Sequence, residues 1–295
     1  MALRTFGWAL LACAAWVSPS LAADLVPVKS VPAKAEDRPE VEIDVSLMSD
    51  YIYRGVSLTE RRASGATNVE AHWHGFYASA NLQNIALPTN PVAEVTLTGG
   101  YKWIRDDFTL DLNATYFWYP GETLSEGMVA ASYAEYAASV EREFKQLPLP
   151  ITLKGTVAYA PDVSGTQAWG AYAEAGIEIE LGELLRNVKW QFNATGGYWR
   201  FGNISPMLGG FPLPSYANWR LGFEFDFTDY LTLDVSYWDT NLSKEDCFVF
   251  TGDTMATPGG IPNPISNPDG LRSRLCGAAL LGTVTWNFDL SSLKK

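Results

Sequence analysis

From Val41 onward the dominant pattern is apolar and polar residues alternating with a period of two, not the three-and-four spacing of a helix. Successive side chains of a strand point to opposite faces, so this alternation marks strands that separate two different environments. The clearest case is Trp219 to Phe227, where Trp219, Leu221, Phe223, Phe225 and Phe227 form one set and Arg220, Glu224 and Asp226 fall in the other. About twelve such runs are predicted. The first is Glu42–Arg54, with Ile43, Val45, Leu47, Tyr51 and Tyr53 opposite Glu42, Asp44, Ser46 and Asp50. The others are Ala66–Trp73, Phe76–Asn84, Ala93–Trp103, Phe108–Tyr119, Tyr133–Phe144, Ile151–Ala160, Ala168–Leu181, Val188–Arg200, Tyr216–Phe227, Leu231–Thr240 and Gly277–Phe288.

The connections sort into two kinds that take turns along the chain. Short ones stand at His74-Gly75, Arg105-Asp106-Asp107, Gln146-Leu147-Pro148, Gly182-Glu183 and Thr228-Asp229; longer ones run over Ser57–Ser64, Ile85–Pro91, Pro120–Ser132, Pro161–Gln167, Gly202–Ser215 and Asn241–Leu275. An even number of antiparallel strands with tight turns at one end and loops at the other is the plan of an outer-membrane barrel. Lipid offers no hydrogen bonds to a sheet edge, so a spanning sheet must close on itself. The expected fold class is therefore all-β: a closed antiparallel transmembrane β-barrel of about twelve strands. Aromatic residues near the run ends, among them Tyr51, Tyr53, Trp73, Phe76, Trp103, Trp118, Tyr230 and Phe288, suit the two interfaces with lipid headgroups. A soluble β-fold with those rings in its core is the alternative.

Composition agrees with a chain whose one face avoids charge. Aromatics make up 13 % of the residues and charged residues only 18 %, where a soluble domain carries about a quarter. Met1–Ala22 has one early charge at Arg4, a short apolar run, and small residues at Ser20 and Ala22, which reads as a secretory signal peptide. Leu10-Leu11-Ala12-Cys13 offers a second reading as a lipoprotein processing site. Residues 23–40 read as a flexible periplasmic tail with Pro27, Pro32 and Pro39, and 41–295 as the barrel.

The net charge of −12 argues against nucleic acid as a partner. With apolar sets assigned to lipid, Asp44, Asp50, Glu94, Asp111, Glu174, Glu178, Glu224, Asp226 and Asp234 point inward, as do Arg54 and Arg220. Acid exceeds base in this set, which favours cations in a water-filled lumen; compensated networks that only hold the barrel's shape are the alternative. A barrel of this size lies between those that side chains fill and those that stand open, so loops decide whether it conducts. Asn241–Leu275 is long enough to fold over or into the mouth. Cys247 and Cys276 near its ends are candidates for a disulfide in an oxidising compartment.

Chemistry is sparse. His72 and His74 are the two histidines, and the sequence supplies neither a metal-ligand set nor a phosphate-binding loop. Gly99-Gly100 and Gly196-Gly197 lie within strands, where glycine relieves crowding or allows a bend. Catalytic residues and cofactors are not predicted. Outer-membrane lipids, small solutes or ions and the barrel-assembly machinery are the expected partners.

The segment Ser49-Asp50-Tyr51-Ile52-Tyr53-Arg54-Gly55-Val56-Ser57-Leu58-Thr59 resembles the opening of the TorF-type porins, a proteobacterial family of poorly defined function. Weaker likeness follows at Gly75–Ser79, Glu94–Tyr101 and Tyr116–Gly121. The resemblance implies an outer-membrane barrel with a channel role and brings no catalytic residues. An inward pair of Asp50 and Arg54 is one expectation for that opening segment. The predicted activity is passive diffusion of small hydrophilic solutes, cations in preference. A plugged structural or adhesive surface barrel and an outer-membrane lipid hydrolase are the alternatives.

Overall fold

A computed structural model describes residues 39–124, 129–185, 187–253 and 271–290. The expected signal peptide, nearly all of the expected tail and the middle of the 241–275 loop lie outside the described residues. In chain order the elements are β1 (Glu40–Met48), β2 (Ile52–Tyr53), β3 (Val56–Ser57), β4 (Ser64–Trp73), β5 (Phe76–Gln83), β6 (Glu94–Arg105), β7 (Phe108–Trp118) and β8 (Tyr133–Phe144). They continue with β9 (Ile151–Ala160), β10 (Gly170–Leu185), β11 (Val188–Phe201), β12 (Tyr216–Thr228), β13 (Leu231–Thr240), α1 (Lys244–Thr251) and β14 (Ala279–Asp289).

β1 and β4 through β14 form a closed antiparallel barrel of twelve strands, each beside its neighbour in sequence. Closure joins the first strand to the last, with Ile43 opposite Phe288 and Leu47 opposite Val284. The short turns gather at one end and the loops at the other, as the spacing predicts. Two turns sit later than expected: β10 continues through Gly182 and Glu183 with register shifts to Leu185, and the next tight turn stands at Thr228–Leu231.

The outward set is apolar and exposed around the wall, with Leu82 and Val157 both more than half accessible. Trp73, Phe76, Tyr101, Trp103, Tyr230 and Phe288 ring the turn end, and Trp118, Tyr136, Tyr159 and Tyr198 ring the outer half nearer the loops. Inside, the lumen-facing residues of β8 to β13 grow less buried from the loop end toward the turn end, while Tyr77 on β5 and Asp111 on β7 stay buried near the turns. On β12, Tyr216, Asn218, Arg220 and Gly222 are buried, Glu224 and Asp226 are half-buried, and Thr228 is exposed. β11 runs the opposite way, from exposed Lys189 through buried Asn193 to buried Trp199 and Phe201. The loop end of the lumen is packed, and the β8 to β13 side is more accessible toward the turns.

The predicted first strand does not run to Arg54. β1 stops at Met48, and the chain turns into the barrel mouth. Tyr51 and Tyr53, expected at a lipid interface, are 4 % exposed in the core of that mouth. The alternation itself misled, because a strand facing lipid and a hairpin facing an aromatic lumen both ask for an apolar residue at every second position.

Candidate functional site

The segment that enters the mouth is a two-residue β-hairpin. β2 pairs with β3, Tyr53 opposite Val56, and Arg54 and Gly55 form the turn with φ of 42° and 84°. Two positive φ values are the requirement of a type I′ turn, which matches the twist of the strands it joins. Gly55 meets a second requirement, because a Cβ there would collide with the Thr240 side chain.

Arg54 sits at the hairpin tip, 3 % exposed in its side chain, and reaches β8 across the lumen. Its Nη1 donates to Glu135 Oε2 and its Nη2 to Glu135 Oε1, both at 2.9 Å. The guanidinium lies 3.9 Å from the ring centre of Tyr172, 4.2 Å from that of Trp199 and 4.7 Å from that of Tyr53. A planar cation with forked donors fits both demands, a bidentate carboxylate and stacked rings. Tyr172 lies over Gly197 of β11, where any side chain would occupy the space of its ring. Tyr77 lies over Gly100 in the same manner. These glycines relieve crowding, and what they make room for is a tyrosine folded flat along the inner wall.

A second buried carboxylate supports the plug. Glu94 is fully buried and accepts hydrogen bonds from the hydroxyls of Tyr51 and Tyr119, each at 2.9 Å. Around these groups Phe117, Tyr133, Trp199, Phe201 and Tyr216 close the lumen. From above, α1 adds Phe250, whose ring centre is 5.3 Å from those of Phe201 and Tyr216. The helix is set by Ser243, whose hydroxyl accepts from Asp246 N–H, and stopped by Gly252 in the left-handed region. Cys247 of α1 is bonded to Cys276, with Cα atoms 5.8 Å apart. One residue before that bridge, the Leu275 carbonyl accepts from Ser57 N–H of β3 at 2.8 Å. Plug, helix and disulfide are thus one connected unit.

The expected Asp50–Arg54 pair does not form. Arg54 belongs to Glu135, and Asp50 accepts from the hydroxyls of Ser57 at 2.7 Å and Thr59 at 2.8 Å. Arg61 faces Asp50 at 3.6 Å. Burial raises the Asp50 pKa, while the two hydroxyls and Arg61 oppose that rise. Asp50 therefore braces the base of the hairpin. Two periods of alternation put Asp50 and Arg54 on one face only if the strand continues, and it does not.

The other inward residues divide by level. Asp111 accepts from the Tyr77 hydroxyl at 2.9 and 3.1 Å and is buried. Asp44 lies 3.5 Å from the Asn68 amide of β4. Arg220 donates to Asp234, and Lys154 stands 2.6 Å from Glu178. Glu174 accepts from the Tyr172 hydroxyl at 2.6 Å, Glu224 from Gln191 at 2.9 Å, and Asp226 from Thr232 at 2.9 Å. Glu174, Glu178, Arg220, Glu224 and Asp234 line one cavity of about 130 Å³ below the plug. His72 lies at the turn end with Nε2 2.8 Å from Glu70. Glu135, the partner that anchors the plug, lies outside the set of inward residues expected from the sequence, although it shares the inward parity of β8 with Tyr133 and Ser139.

The sequence pattern of a bacterial family of unknown function, Gcw_chp, matches residues 33–257. The chain belongs to that family. In this Gcw_chp barrel the matched span holds the hairpin, Glu94, Glu135 and the aromatic cage. No curated protein matches the sequence. Among solved structures the barrel is similar to the NanC porin at 11 % identity and a TM-score of 0.45, over 85 % of this chain and 100 % of that one. An outer-membrane channel from Pseudomonas putida F1 is similar at 9 % identity and a TM-score of 0.42, over 87 % and 97 %. LpxR from Salmonella typhimurium is similar at 8 % identity and a TM-score of 0.38, over 84 % and 99 %.

Proposed function

We propose that this protein is an outer-membrane, porin-like channel for small hydrophilic solutes, cations in preference, and that the hairpin holds it closed. The apolar outer wall supports the membrane location, since a monomeric soluble barrel has no reason to expose Leu82 and Val157 within a continuous apolar belt. Closure of the lumen by an insert is the observation that carries the channel reading. The block is a hairpin from one loop, held across the lumen by the Arg54–Glu135 ion pair and the Tyr51–Glu94 hydrogen bond, above a wall lined by polar and charged side chains. The likeness of residues 49–59 to TorF-type porins supports the same reading and falls on the hairpin itself.

The plugged surface barrel is the second reading, and the completeness of the Arg54 cage favours it. Planar-bilayer recording separates the two. The full chain is expected to give rare cation-selective openings, and Glu135→Ala, which strands the Arg54 charge, is expected to lengthen the open time at least tenfold. Silence from both folded proteins would establish a permanent plug and end the channel reading.

A further inference from the structure

The lumen below the plug holds a more specific arrangement than a passage requires. The cavity of about 130 Å³ spans β8 to β14, and one water needs only about 10–15 Å³ on this measure. It therefore has room for a solute of several heavy atoms. Its wall carries Glu141, Glu174, Glu178, Glu224 and Asp234 against two bases, Lys154 and Arg220. Each base is already engaged by a carboxylate, Lys154 by Glu178 and Arg220 by Asp234. The cavity thus keeps an excess of negative charge.

A second feature is independent of that charge. Asn193 lines the same cavity, is 4 % exposed, and its Oδ1 has no hydrogen-bond partner. That oxygen lies over the bare lumen face of Gly222, the residue opposite Asn193 on β12. A buried carbonyl without a donor destabilises the fold. Its cost is removed by anything that brings an N–H or O–H.

Surplus carboxylate calls for positive charge, and the bare carbonyl calls for a hydrogen-bond donor. A metal ion is a poor answer, because among the described residues no three His, Cys, Asp or Glu converge to hold one. An organic ammonium meets both needs with one group. We infer that this cavity is a binding site for small organic ammonium ions, entered from the turn end past Thr232 and Asn287. Passage of the bound ion onward rests on the channel reading; the site does not.

Titration calorimetry on the full chain in detergent micelles tests it, with ethylammonium chloride as probe and tetramethylammonium, which has the charge but no N–H, as comparator. Ethylammonium is expected to bind saturably at one site and tetramethylammonium at least tenfold more weakly. Glu224→Gln and Asn193→Leu should each weaken ethylammonium binding about tenfold. Glu245→Gln, on the outer helix, should leave it unchanged. Equal binding of the two cations, or wild-type affinity in folded Glu224→Gln and Asn193→Leu, overturns the site. Because calorimetry needs no conduction, binding in a barrel that never conducts would end the channel reading alone.

Discussion

The two ends of the lumen use the same chemistry in opposite surroundings. At the loop end Arg54 meets Glu135 with side chains 3 % exposed; toward the turn end Lys154 meets Glu178 with side chains 19 % exposed. Coulomb attraction between like-sized ions depends on how much water screens it. The loop-end pair is dry, backed by three aromatic rings, and its loss would leave a charge with nowhere to go. The turn-end pair has water within reach, so its loss is mostly repaired by solvent. One pair holds a plug and the other tunes a surface.

The largest expected effect follows from breaking the dry pair. Arg54→Ala leaves Glu135 buried without its cation, a change of about 3–5 kcal/mol, and should release the hairpin from the mouth. A small hydrophilic maleimide reads this out. A cysteine in place of Asn218, which is 1 % exposed below the hairpin, should be protected in the otherwise native barrel and react once Arg54→Ala is added. A cysteine in place of Thr232 should react in both. Protection of Asn218→Cys in the double variant would mean that the wall aromatics seal the mouth without the hairpin.

What the sequence discloses follows from the same division. The wall is legible because every strand parts lipid from lumen at a period of two, and Trp219 to Phe227 falls into register as read. The inward parity was also sound for Glu94, Asp111 and Glu178. What escaped was the nature of the lumen. On β11, Trp199 shares the inward parity of Lys189 and Gln191, and on β12 Tyr216 shares that of Arg220; rings on the polar face were already a sign that this face is partly dry. The Arg-Gly turn between Tyr53 and Val56 is a second sign, because the apolar set moves across it from odd positions, Tyr51 and Tyr53, to even ones, Val56 and Leu58. Glu135 carries the inward parity of β8 but no local sign of its partner, since the barrel alone brings it across 81 positions to Arg54.

The disulfide sharpens the comparison next. Replacing Cys247 and Cys276 together by serine removes a cross-link over 29 positions, worth about 2–4 kcal/mol. The loss should fall on the mouth, because Ser57 of the hairpin is bonded to Leu275 beside the bridge. Limited proteolysis is expected to cut the 241–275 loop sooner and maleimide to reach Asn218→Cys faster, while Thr232→Cys labels at its former rate. Equal acceleration at both positions would show that the ends of the lumen are not separate units.

The smallest effect belongs to the wet pair. Glu178→Gln removes one carboxylate from Lys154, whose Nζ also has Glu141 at 3.7 Å. A partly solvated pair with a second acid nearby contributes about 0–1 kcal/mol, so thermal unfolding should hardly move. Charge in the lumen does change, from an acidic excess to a smaller one, and fixed charge facing water acts on passing ions over roughly 8–10 Å at moderate salt. In the Glu135→Ala background, where openings are long enough to measure, the reversal potential in a salt gradient should shift toward zero, by less at high salt than at low. An unchanged potential would place the ion path away from the β8 to β14 wall, and a large loss of stability would mean that the turn end is as dry as the mouth.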